Sequence, residues 1–152
     1  GVADLERIAA KVSTGRANAR DLVSLAASLG RLPALQADPD QLRQAFVNIV
    51  LNAVEAMQGR GALTMTSAPT QDGEGVEVTI VDTGCGIPAE DLDHLFEPFF
   101  TTKDDGTGLG LPITYGIVER HNGNIEVSSE MGKGTTFRIV LGSMKEAGDH
   151  DE

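Results

Sequence analysis

The chain has 152 residues, 40% of them hydrophobic, which is enough for one compact domain with a core of its own. Its 12 Lys and Arg stand against 23 Asp and Glu, and the formal charge of −11 repels a phosphate backbone and argues against a nucleic-acid reader. No apolar run is long enough to span a bilayer, so a soluble chain is expected; one cysteine, Cys85, excludes an intrachain disulfide and a multi-thiolate metal site and fits a reducing cytoplasm.

Residues 4–19 carry Leu5, Ile8, Ala9 and Val12 at helical spacing, with Arg7, Lys11 and Arg16 on the wet side, which predicts a first amphipathic helix. Residues 22–29 read as a short strand closed by Gly30 and Pro33, although the alanines there favour helix. Asp38 suits a helix cap, Pro39 the first position, and Gln41 completes a capping box, so a helix is predicted over 39–58. Leu42, Phe46, Ile49, Ala53 and Met57 form its core stripe, Val47, Leu51 and Val54 widen it, and Gly59 and Gly61 end it. Strands follow over 62–67 and 76–82, joined by the polar turn 71–75. Leu109, Ile113, Ile117 and His121 keep helical spacing; Pro112 is tolerable only in the first turn, so this helix starts just after the glycines and stops at Gly123. Ile125 and Val127, then Thr135, Phe137, Ile139 and Leu141, alternate as a closing hairpin around the turn 131–134. One domain over 1–143 is expected, followed by an acidic, frayed tail over 144–152.

Three separated segments carry chemistry. On the central helix Gln44, Asn48, Asn52 and Glu55 share one face, and an amide in a mostly apolar helix needs polar partners. A carboxamide oxygen is a hard ligand for Mg²⁺ and its NH₂ donates to phosphate; bonding to neighbouring loops is the plainer alternative. Asp82 ends a Val and Ile strand and is followed by Gly84 and Gly86, which leave no Cβ to block a ligand. Its carboxylate suits an exocyclic amine such as that of adenine, or an Asx-type turn. Gly106, Gly108 and Gly110 alternate just before a helix, where free N–H groups and the helix dipole favour an anion, unless they form a flexible hinge. This stretch lacks the spacing and Lys of a P-loop, and Lys103 is its one cation. Residues 95–103 hold three of the five phenylalanines, more than core packing needs, and point to a surface that docks a partner or closes over ligand. Cys85 reads as a small turn residue; a redox role would need a depressed thiol pKa.

In this order the segments resemble the GHKL superfamily of gyrases, heat-shock chaperones, histidine kinases and mismatch-repair clamps, and most closely the catalytic ATP-binding domain of bacterial sensor histidine kinases. The match runs over 37–141: residues 48–56 resemble the asparagine box, 82–88 the first glycine box, 96–103 the phenylalanine box, 106–111 the second glycine box, and Gly134-Thr135-Thr136-Phe137 the final strand motif. The resemblance implies an α/β two-layer sandwich of the Bergerat type, a mixed sheet with helices on one face, and ATP between the helix layer and a lid over 97–107. It implies that Asp82 reads the adenine amine with Thr135 beside it, acting through water, and that Gly84, Gly86 and Ile87 line the same end. Asn52 would hold Mg²⁺ and Asn48 would support metal and phosphates, while Lys103 with the segment Gly106, Thr107, Gly108, Leu109, Gly110, Leu111 would hold the phosphate tail. Pro98, Phe99 and Phe100 would face a helical dimerisation domain.

Hydrolysing members of the superfamily have a glutamate base one turn before the metal asparagine, where this chain has Asn48, an amide that takes no proton from water. The resemblance therefore implies γ-phosphoryl transfer to a protein histidine and a downstream response regulator. It also implies a cytoplasmic domain, monomeric by itself, in a parent with or without a membrane anchor. Glu55 and Ala56 stand where many relatives carry a basic and an aromatic residue, which resembles nitrogen-regulator-type kinases and leaves no adenine-stacking residue assigned. His94, His121 and His150 lack the flanking pattern of an acceptor box, so the acceptor is expected outside this sequence. A hydrolysing clamp, an anti-sigma-type serine kinase and a non-catalytic nucleotide-binding module are the rival readings.

Overall fold

The computed structural model describes residues 38–58 and 60–142. The helix read at 4–19, the strand at 22–29 and the tail at 144–152 lie outside them. The elements are α1 (Pro39–Met57), β1 (Leu63–Pro69), β2 (Val76–Asp82), α2 (Ala89–Leu92), α3 (Gly110–Arg120), β3 (Asn124–Glu130) and β4 (Gly134–Leu141).

The sheet runs β1-β2-β4-β3, and among the described residues each neighbouring pair is antiparallel. Two hairpins supply its halves. The β1–β2 turn is held by side chains: the Asp72 carboxylate accepts the Glu74 N–H at 3.0 Å, and Thr70 Oγ accepts that of Gly75 at 2.9 Å. Gly132, at φ +81°, turns β3 into β4. Buried residues alternate along β2 and β4, as a sheet with one packed face requires. Leu42, Phe46 and Ile49 of α1 and Ile117 and Val118 of α3 cover that face, meeting Met65, Val78, Ile80, Phe137, Ile139 and Leu141. Burying a side chain of this size contributes roughly 1.5–3 kcal/mol, so this layer holds the sandwich together.

The ends of α1 decide where its polar face points. Asp38 caps it as the sequence predicts, Oδ1 accepting the N–H groups of Asp40 at 3.0 Å and Gln41 at 3.3 Å. The reciprocal half of the capping box is not made by Gln41. His121, at the end of α3, accepts the Asp38 N–H on Nε2 at 2.9 Å, while its Nδ1–H donates to Ile117 O at 2.7 Å. One imidazole thus staples the start of α1 to the end of α3. Left-handed Gln58, at φ 52°, closes α1 and left-handed Asn122, also at φ 52°, follows α3, where glycines were expected to supply the stops. Gly123 serves packing instead, since a Cβ there would lie 2.3 Å from Val140 O. No helix among the described residues is long and apolar enough to cross a membrane.

Candidate functional site

At the end of the sheet where β2 stops, Asp82 and Thr135 are register partners, 4% and 5% exposed, and Ser129 is in turn the partner of Thr135. Asp82 Oδ1 accepts the Gly84 N–H at 2.8 Å, an Asx-type turn. Its other carboxylate oxygen meets no donor among the described residues. Since no fully buried side-chain polar atom there lacks a partner, that oxygen opens to accessible space. The turn and an open acceptor oxygen therefore coexist in one residue.

The space left by the first glycines goes to protein rather than ligand. A Cβ on Gly84 would lie 2.8 Å from Ala56 in the last turn of α1, and one on Gly86 would lie 2.3 Å from Glu130 O. Three bonds from main-chain N–H groups clamp this loop between α1 and the β3–β4 hairpin: Cys85 N–H to Ala56 O at 3.1 Å, Gly132 N–H to Cys85 O at 2.8 Å, and Ile87 N–H to Ser129 Oγ at 2.7 Å. Exposed Cys85 is a turn residue whose main chain does the holding. The loop thereby fixes where the Asp82 carboxylate sits.

The asparagines meet the other end of the site. Asn48 Nδ2 donates to Gly110 O at 3.1 Å and to Thr114 Oγ at 3.3 Å, and Thr114 Oγ donates to the same carbonyl at 2.9 Å. Gly110 O only accepts, so the amide orientation is forced and Oδ1 is the atom left over. Both Asn48 N–H groups therefore go to protein acceptors, and the carbonyl oxygen is left free. Asn52 Oδ1 already faces a positive group, the Lys103 ammonium at 3.2 Å, which is also paired with the Glu55 carboxylate. The Asn52 carbonyl oxygen and the Glu55 carboxylate thus hold one ammonium group on this helix face. Facing them, the N–H groups of Gly108, Gly110 and Leu111 at the start of α3 have no acceptor among the described residues, and Pro112 has no N–H to offer.

The segment 97–108 folds on itself rather than forming a loose hinge. Phe99 N–H donates to Gly108 O at 2.9 Å, Gly106 N–H to Lys103 O at 3.2 Å, and Leu109 N–H to Thr107 Oγ at 3.3 Å. Phe96 packs on the Tyr115 ring at 5.2 Å and Phe100 on His94 at 5.7 Å. Phe99 is left 75% exposed in a left-handed conformation, φ 68°. Beside it the His94 imidazole bonds to the Glu97 carboxylate, which raises its pKa above the ordinary 6.5.

Sequence reasoning missed Thr114, Ser129 and the four-residue helix α2. Thr114, fully buried four residues after Gly110, fits the pattern of hydroxyls that bond back along a helix. Ser129 alternates with polar neighbours on an ordinary strand and gives no signal. An open hollow of about 390 Å³ at the opposite end of the sheet, beside Thr70, Asn122 and Val140, collects none of these residues.

Known proteins share this fold. Residues 37–143 match the family described as histidine kinase-, DNA gyrase B-, and HSP90-like ATPase. Sensor histidine kinase ZraS of Escherichia coli K12 is 44% identical over 125 residues, 82% of this chain and 26% of that protein. Sporulation kinase E of Bacillus subtilis is 44% identical over 110 residues, 72% of this chain and 15% of its own length. The chain therefore spans about a quarter or less of these two relatives. Among solved structures, the catalytic domain of histidine kinase ThkA superposes with a TM-score of 0.65 at 30% identity, covering 82% of this chain and 90% of that one. Full-length ShkA in complex with AMPPNP gives 0.65 at 27% identity, covering 84% and 31%.

Proposed function

The chain belongs to the histidine kinase-, DNA gyrase B-, and HSP90-like ATPase family, and from that premise we propose that it is the catalytic ATP-binding domain of a bacterial two-component sensor histidine kinase. It binds Mg·ATP and passes the γ-phosphoryl group to a histidine on a helical dimerisation domain of its parent protein, in the cytoplasm, from where a response regulator takes it. In this proposal it is of the nitrogen-regulator type, a reading that Glu55 and Ala56 support, and alone it is monomeric.

In this reading the free oxygen of Asp82 accepts the adenine amine, with Thr135 beside it and Gly84, Gly86 and Ile87 holding the loop. Asn52 holds Mg²⁺ with the carbonyl oxygen of Asn48 close by, and that ion neutralises phosphate charge. The free amides of Gly108, Gly110 and Leu111, with Gly106, Thr107 and Leu109 shaping the turn, receive the phosphate tail. Lys103 leaves Asn52 to join them. Rate comes from positioning and charge neutralisation. The amide of Asn48 provides no general base toward water, which favours transfer over hydrolysis. Exposed Phe99, with Pro98 and Phe100, is the face offered to the dimerisation domain.

The observation that carries this reading is the bond from Asn48 on α1 to Gly110 at the free-amide end of α3. It sets the asparagine face of α1 against the free amides that begin α3. The test is incubation of the chain with γ-labelled ATP and a separately made dimerisation domain from its parent. Acid-labile label on a histidine is expected. Acid-stable label would favour the serine kinase, and rapid phosphate release without an acceptor would favour the clamp.

A further inference from the structure

Ser129 belongs to no motif, yet it closes the row that Asp82 and Thr135 begin. The three residues are successive register partners on β2, β4 and β3, so they stand on one face at one end of the sheet. Counting protons on this row gives a definite answer. A serine hydroxyl has one proton and two lone pairs. Ser129 Oγ lies 2.9 Å from Gly134 O, which only accepts, so its proton goes there. The Ile87 N–H fills one lone pair at 2.7 Å. Thr135 Oγ lies 2.8 Å away, a contact that needs a proton between the two oxygens, and Thr135 must supply it. The Thr135 hydroxyl is thereby turned toward Ser129 and shows lone pairs on its remaining side. Asp82 also shows only an acceptor, since Oδ1 is taken by Gly84.

We propose that Ser129 is a positioning residue for base specificity: by fixing the Thr135 proton it keeps that position an acceptor, so that the pocket takes a purine with an amine at C6 and rejects one with a carbonyl there. The inference rests on the reading that Asp82 and Thr135 face the base. A 6-oxo purine sets its oxygen against two acceptors, and an unmatched polar contact in a buried site is disfavoured far more than a matched one is favoured. Without Ser129 the Thr135 hydroxyl rotates freely and donates to that oxygen.

The experiment is calorimetric titration of the whole chain with Mg·ATP and Mg·ITP. Ser129→Ala is expected to shrink the ratio of ITP to ATP dissociation constants by about tenfold, the effect of roughly one hydrogen bond. Ser129→Thr, which keeps the hydroxyl, keeps the wild-type ratio. An unchanged ratio in Ser129→Ala overturns the proposal. Should that variant not fold, Thr135→Val decides: ATP affinity falls while ITP affinity holds or rises, and an equal loss of both overturns it. A wild-type chain that binds ATP without preferring it to ITP overturns the role of Ser129 alone; one that binds no ATP overturns the pocket reading with it.

Discussion

A Cβ on Gly134 would lie 1.9 Å from Asp82 O, and the residue already sits at φ +122°, where side chains are strained. Gly110 is the opposite case, because its nearest neighbour would be an Asn48 side-chain atom at 3.8 Å, ordinary contact. Both glycines fall in motifs, but the first is fixed by packing and the second by what its main chain offers. Gly134→Ala is expected to destabilise by at least about 3 kcal/mol, adding backbone strain to overlap. Gly110→Ala should unfold at nearly the wild-type temperature. Thermal unfolding of the two variants followed by circular dichroism checks this, and similar losses in both would contradict it. The same distinction explains Gly84 and Gly86, whose missing side chains admit Ala56 and Glu130 rather than a ligand. Sequence alone left those readings open, because a glycine looks the same whichever body occupies the space beside it.

Among the described elements, an ionic network joins three strands on the open face of the sheet. Arg138 on β4 bonds to Glu77 on β2 at 2.8 Å and to Glu126 on β3 at 2.9 Å, joining three strands. The Arg138 hydrogen bond holds the Glu77 pKa below its ordinary 4.5, and the two carboxylates raise that of Arg138. A lowered carboxylate pKa contributes stability that is fully present above 4.5 and is lost as pH falls through the folded value. Glu77→Gln should therefore unfold with a weaker pH dependence below about pH 4.5 than the wild type, and match its slope at neutral pH. Denaturant titrations across that range test it, and parallel curves would count against the network. At a solvated site like this the effect stays small.

Elements whose signals are local were legible in the sequence. The Asp38 cap, Pro39 at N1 and the polar turn 71–75 depend on neighbours a few residues apart, and the structure bears them out. Contacts made across the fold were not legible. The imidazole that completes the α1 cap comes from 83 residues away, and α2 is four residues long, too short for any periodicity to show. The Ser129 network needs the register of β3 on β4, which no spacing reveals.

For the whole molecule, a formal charge of −11 makes a polyanionic ligand an unfavourable guest unless positive groups gather locally. The fold gathers them at one place: free amides begin α3 and the Lys103 ammonium stands on Asn52, while in the proposed reading the Asn48 and Asn52 oxygens bring in a divalent cation. The Asp82 carboxylate, the proposed reader of the base, stands where β2 stops. That division of labour, acceptors at the end of the sheet and donors at the end of the helix, gives the site a direction. A co-crystal of the chain with Mg²⁺ and a non-hydrolysable ATP analogue tests it most directly. The adenine amine should lie within about 3 Å of the second Asp82 oxygen, hydrogen-bond range, with the metal on Asn52 and the phosphates at the Gly108, Gly110 and Leu111 amides. A nucleotide lying in the reverse direction, or bound away from Asp82, would contradict it.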